Sequence, residues 1–262
     1  MVTLAELKNI AVKDLLALEF VIADVYTEIT SGLSGFSLFD GGAHTGWHTT
    51  RMLDLPGCEK VYAVEADPFM AEGLRESLSE RLALGRPKLE LIQKALQSDP
   101  ELETIPWRSS NSHVGRSSIM SENAARPTIW AAHNDIEYRD EMRVAATTID
   151  QILAGETLPL PFMKLDLEGA DFVSLKGASK TLREKRPVVI FENAAEAPEV
   201  HGFTEVEAFE YFDSLDYVPM NFLGEPLGRA GWFGFFEAWA APKEKAGRLA
   251  PIVQKAVAQR LG

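Results

Sequence analysis

The chain has 262 residues, 46% hydrophobic and 25% charged, enough for one large α/β domain with additions. A formal net charge of −13, with no clustered basic run, argues against a nucleic-acid partner held through its phosphates. Cys58 is the only cysteine, so no intrachain disulfide can form, and it reads as a small buried hydrophobe in a reducing compartment.

At the start, Glu6 and Lys8 stand where a secretory signal would need a positive and then an apolar run, and every long apolar run is interrupted by charge. No membrane span and a cytoplasmic location are therefore expected. Thr3 and Glu6 form a capping-box pattern, and Leu4, Leu7, Ala11, Leu15, Leu18, Ile22, Val25 and Ile29 follow at steps of three and four. This predicts a long amphipathic helix, ended by SGLSG, in an N-terminal extension over residues 1–35. It should pack over the following domain or against a second copy of the chain, a route to a homo-oligomer. Its polar face carries Glu6, Asp14, Glu19, Asp24 and Glu28, which suits a membrane surface poorly.

FSLFDGGAHTG, from Phe36 to Gly46, reads as strand, glycine-rich turn and helix start, and VYAVEADP brings a second strand that ends in Glu65. A carboxylate there can accept hydrogen bonds from both hydroxyls of a ribose. Gly41, Gly42 and Gly46 do not fit the G-x-G-x-x-G spacing that cradles a pyrophosphate, and Asp40 would sit beside its charge. S-adenosylmethionine has no phosphate but carries an ammonium and a sulfonium, for which an acid is an asset. Glycine at 42 and 46 would let the backbone approach the methionine part. The candidate cofactor contacts are Asp40, Gly42, Ala43, His44, Gly46, Glu65, Ala66 and Ala95.

Asp67 and Pro68 read as N-cap and first helical residue, and Met70, Leu74, Leu78 and Leu82 recur every four as a core row. LELIQKAL, Leu89 to Leu96, supplies a third strand whose end near Ala95 would border the adenine. Residues 100–144, with Trp107, a polar run from Ser109 to Ser121, Trp130, His133 and Tyr138, show no clear period and read as a substrate-covering insertion. TTIDQIL starts a short helix, and LPFMKLDLEG brings a fourth strand. Lys164 inside that strand reads as a bridge between carboxylates, whereas Asp166 stands at the carboxyl end where open α/β sheets bind ligands. PVVIFEN ends a fifth strand in Glu192, Tyr217 to Ala241 reads as a terminal two-strand hairpin, and residues 243–262 as a C-terminal helix.

FDGGAHTG, VYAVEADP, KALQSD, VAATTIDQIL, KLDLEGADFVSLKGA and RPVVIFEN, in this order, resemble the FkbM-type family of S-adenosylmethionine-dependent methyltransferases over about Phe36 to Asn193. The resemblance implies a class I methyltransferase fold over residues 36–242: a doubly wound, mostly parallel seven-stranded sheet with an antiparallel last strand. It also implies O-methylation of a hydroxyl on a sugar, polyketide or similar small metabolite. The chain departs from the family at His44, where asparagine is usual, and at Gly41, where an aliphatic residue is common.

Methyl transfer from a sulfonium is an in-line displacement, and the protein must take the acceptor's proton. Asp166 is the first candidate for that role, with Glu168, Glu192 and His201 on the same rim. The acids among them could also hold a divalent cation, although no ligand spacing is diagnostic and no metal ligand is assigned. Two rivals stand: a sensor that binds the adenosine ligand without turnover, and a nicotinamide-dependent oxidoreductase, which the loop spacing and Asp40 disfavour.

Overall fold

A strand covered on both faces must be apolar along its whole length, and the short Val-, Leu- and Phe-rich runs of this chain supply the centre of such a sheet. The structure, a computed structural model, describes residues 3, 5–7, 15–109, 118–119, 141–193, 197–229, 232 and 236–261. Leu4, Ala11, Asp14, Trp130, His133, Tyr138 and most of the polar run after Ser109 lie outside the described residues. The strands in chain order are β1 (Phe36–Gly41), β2 (Cys58–Val64), β3 (Lys88–Ile92), β4 (Ala95–Leu96), β5 (Thr104–Arg108), β6 (Ser118–Ile119), β7 (Met142–Thr147), β8 (Phe162–Leu165), β9 (Val188–Glu192), β10 (Tyr217–Asn221) and β11 (Glu237–Pro242). The main helices are α1 (Leu15–Thr30), α2 (Trp47–Leu53), α3 (Pro68–Ser77), α4 (Ser79–Leu84), α5 (Asp171–Lys176), α6 (Ser179–Glu184), α7 (Ala197–His201), α8 (Glu205–Ser214) and α9 (Lys243–Leu261).

The large sheet runs β3-β2-β1-β8-β9-β11-β10. Strands β1, β2, β3, β8 and β9 pair in parallel, and β11, last in the chain, is antiparallel to both its neighbours. This is the seven-stranded class I methyltransferase sheet that the sequence led us to expect. The chain continues from β1 to β2 on one side and returns through β8 on the other, so β1 marks the switch point where a crevice opens at the strands' carboxyl ends.

Alternation along β1 divides the core. Leu38 joins a layer with Leu18, Ile22, Val25, Leu249 and Val253, while Phe39 joins the opposite layer with Met163, Leu165, Phe191 and Phe212. The first layer seats α1 and α9 on one face of the sheet, so the apolar stripe of α1 is buried within its own chain. Arg260 adds a two-pronged pair to Asp24 at 2.6 and 2.8 Å, and the Thr3–Glu6 capping contacts are present.

Two sequence expectations need correction. LELIQKAL is not one strand: β3 stops at Ile92, and Ala95–Leu96 pair instead with β7 in a second sheet of order β4-β7-β5-β6. The helical row is not wholly core either. Leu74 and Leu78 are buried, but Leu82 is exposed and Met70 faces the cavity described below. The reason is a break at Leu78, where α3 gives way to α4 and the four-residue period loses its common face.

Candidate active site

The carboxyl end of β1 is fixed by backbone before any side chain acts. The amides of Gly42 and Ala43 both donate to the Val64 carbonyl at 2.9 Å, and the Asp166 amide donates to the Gly41 carbonyl at 3.0 Å. Gly42 has φ 76°, and a Cβ there would lie 1.9 Å from the Asp166 carbonyl oxygen. At Gly46 a Cβ would meet Leu74 at 2.7 Å. At both glycines close packing within the protein already leaves no room for a Cβ, a reason the sequence argument, which looked to the approach of a ligand, did not supply. At Gly41 the space an aliphatic side chain would fill is taken by Leu165 and Leu96, 2.6 and 3.1 Å from a notional Cβ.

Above this turn lies a cavity of about 410 Å³. Of the expected cofactor contacts, Asp40, Gly42, Ala43, His44, Glu65, Ala66 and Ala95 line it, and so do Asp166 and Glu168. Gly46, Glu192 and His201 do not. Glu192 instead accepts from the Gly169 amide at 2.8 Å and supports the turn after β8, and His201 ends the short helix α7. The cavity also takes Leu16, Glu19, Thr45, Trp47, His48 and Lys94, which the sequence reading did not assign, together with Lys164, read as a bridge, and Trp107, from the segment read as covering the substrate. Trp107 was the hardest to foresee. It arrives on β5 of the second sheet and donates to Asp67 Oδ2 at 3.3 Å.

Glu65 is held at both oxygens, by the His44 amide and the Asp67 amide, each at 2.9 Å. Burial pushes its carboxyl up to about 7 in spite of those donors. Asp40 is fully buried; Oδ2 accepts from the Thr49 hydroxyl at 2.6 Å, and Oδ1 has no partner among the described residues. An unpartnered buried carboxylate oxygen in a cavity wall fits a ligand that brings a donor, which the ammonium of S-adenosylmethionine would be. His44 Nε2 is likewise buried and has no partner among the described residues, and burial lowers its pKa so that the ring stays neutral. His44 and Glu168 adopt φ of 50° and 53°, and two such non-glycine residues on one cavity mark strain concentrated at a site.

On the β8 side, the sheet register sets Asp40 beside Lys164. Lys164 is buried and donates to Asp166 Oδ2 at 3.1 Å. Burial works against its ammonium, but Asp166, Asp40, Glu19 and Glu237 together hold its pKa above the ordinary value. Burial works against the Asp166 carboxylate too, and the charge and hydrogen bond of Lys164 prevail, leaving it below the usual carboxylate range. Among the described residues Lys164 therefore pairs directly with Asp166 alone, from the cavity wall, and feels the other carboxylates only through their charge. Behind it, burial and the charge of Asp166 push Asp171 up to about 7, while its oxygens accept from the amides of Leu167 and Glu192 at 3.1 Å each. Among the described residues no group of three or more His, Cys, Asp or Glu side chains is arranged to hold a metal ion.

Residues 40–219 match the Methyltransferase FkbM domain. The chain belongs to that family. No curated protein matches the sequence. Among solved structures, methyltransferase FkbM from Methylobacillus flagellatus KT shares 16% identity at a TM-score of 0.47, over 88% of this chain and 59% of that one. The chain thus spans little more than half the length of that relative. SMU.1697c, a putative methyltransferase from Streptococcus mutans in complex with SAH, shares 13% over 83% of this chain and 96% of its own, at a TM-score of 0.41. Cofactor-bound Rv0187 from MTB shares 14% over 88% of each chain, at 0.43. Among the described residues of this family member, no helix is long and apolar enough to cross a membrane.

Proposed function

We propose that this FkbM-family chain is an S-adenosylmethionine-dependent methyltransferase that acts on a hydroxyl group of a small metabolite such as a sugar or polyketide. The observation that carries the reading is the pairing of Glu65 with the half-satisfied Asp40 on one cavity at the switch point of the sheet. Glu65 would accept the ribose hydroxyls, Asp40 the ammonium, and Ala95, Met70 and Trp107 would form the apolar wall around the base. S-adenosylmethionine supplies a methyl group on a sulfonium.

Asp166 is ionised at neutral pH and stands at the end of β8 with its side chain 39% exposed to the cavity. It would accept the acceptor's hydroxyl proton as the new bond forms, a task that needs reach and orientation more than high basicity in the resting state. Lys164 fixes that carboxylate. Holding nucleophile and methyl in line in this cavity would supply the greater part of the acceleration. Methyl transfer from labelled S-adenosylmethionine to a set of hydroxylated sugars and polyketides tests the reading. Product on an alcohol oxygen is the expected result; binding without transfer to any of them would favour the sensor.

A further inference from the structure

The β8 side of the cavity is closed by a segment that precedes the family-matched residues 40–219. Helix α1 brings Leu16 and Glu19 to the wall beside Trp47, His48, Lys164 and Asp166. Glu19 is not a loosely placed surface acid. Its Oε2 lies 2.6 Å from His48 Nε2, and the Tyr26 hydroxyl lies 3.4 Å from His48 Nδ1. A carboxylate oxygen can only accept, which fixes the donor in the contact between Glu19 and His48. The imidazole then carries its own proton on Nε2 and donates it to Glu19. Phe20, the next residue, meets the Trp47 ring edge-on at 5.3 Å, and Asp24, farther along α1, holds Arg260. The helix is therefore pinned at the residue next to Glu19 and again about one turn farther along.

Glu19 lines the cavity with Oε2 on His48, and its side chain is 33% exposed. Lys164 is the cation at the centre of this region, and it answers to Asp166, Asp40, Glu19 and Glu237 at once. An acceptor with a phosphate or carboxylate next to its reacting hydroxyl would meet uncompensated like charge there. An acceptor presenting hydrogen-bond donors or an ammonium would be met by fixed carboxylates.

We propose that Glu19, held in place by His48, faces the methyl acceptor and selects one that presents a hydrogen-bond donor or a positive charge beside its reacting hydroxyl. This rests on the methyltransferase reading above. Glu19 is then a specificity residue outside the family domain, and His48 a positioning residue acting through it.

Two ligands test it without knowledge of the acceptor. S-adenosylhomocysteine lacks the transferred methyl, and sinefungin carries an ammonium at that place, facing the acceptor. Both are titrated calorimetrically into the whole chain as wild type, Glu19→Gln, Glu19→Asp, His48→Ala and His48→Gln. Glu19→Gln should bind S-adenosylhomocysteine within about twofold of wild type and sinefungin about tenfold more weakly, with Glu19→Asp between them. His48→Ala should lose sinefungin affinity selectively, and His48→Gln, which restores an N–H toward Glu19, should recover most of it. Equal loss for both ligands, or no loss, in Glu19→Gln or Glu19→Asp would overturn the assignment of Glu19. Failure of wild type to bind S-adenosylhomocysteine would instead overturn the methyltransferase reading itself.

Discussion

On the β2 side of the cavity, Asp40, Gly42, Glu65 and Asp67 come from one stretch of chain, and their positions follow from two strands, a turn and an N-cap. On the β8 side, Leu16, Glu19, His48, Lys164 and Asp166 come from three separate segments and meet only when α1 docks on the sheet. The first side is held by backbone amides, with His44 and Asp67 both donating to Glu65; the second is held by side-chain ion pairs. Backbone geometry makes the β2 side tolerant of surface change and intolerant of any Cβ at the turn. The β8 side should respond chiefly to changes of charge.

Gly42→Val is the sharpest way to break the β2 side, because its Cβ cannot coexist with the Asp166 carbonyl 1.9 Å away. We expect loss of ligand binding together with destabilisation of about 3 kcal/mol or more, from overpacking and a positive φ. A variant with wild-type melting and S-adenosylhomocysteine affinity would show that the turn can move. On the β8 side, Asp166→Asn keeps the shape but removes the proton acceptor. Single-turnover methyl transfer should fall by about 100-fold with S-adenosylhomocysteine affinity retained. A normal rate in a destabilised protein would reduce Asp166 to the structural partner of Lys164.

Glu65→Ala returns to the β2 side and should weaken S-adenosylhomocysteine by about 2 kcal/mol through loss of charge-assisted ribose contacts. Unchanged affinity by calorimetry would remove the ribose assignment. The smallest effect concerns pH. Burial raises the Glu65 carboxyl from 4.5 to about 7, so its contribution to stability is complete below the unfolded value and is lost as pH rises through 7. Melting temperature measured from pH 5 to 8 should therefore fall more steeply in wild type than in Glu65→Gln. The ionised carboxylate is the better ribose acceptor, so wild-type affinity for S-adenosylhomocysteine should rise over the same range and that of Glu65→Gln should stay flat.

The contrast between the two sides also explains what could be read from the sequence. The N-cap at Asp67, the acids at the ends of β1, β2 and β8 and the C-terminal hairpin follow from local patterns and are present, while the seven-stranded sheet was implied by the family resemblance. The glycine at 42 was legible, but the Asp166 carbonyl that crowds it was not, since it lies just past β8, far along the chain. Glu19 sat on the polar face of a helix with no site role assigned; the packing of α1 against α2 brings it to the cavity wall. Trp107 and the exit of the chain after Ile92 depend on pairing between β4, β5 and β7, which no short-range period announces. Glu192 carried the right chemistry at a strand end, yet it faces the turn after β8.

The account stands most directly on the cavity's ligand. Titration of S-adenosylhomocysteine into the wild-type chain, beside an identical titration of NAD, should give one-site binding for the first and no measurable heat for the second. Binding of NAD alone, or of neither, would contradict the assignment of Asp40 and Glu65 on which everything else is built.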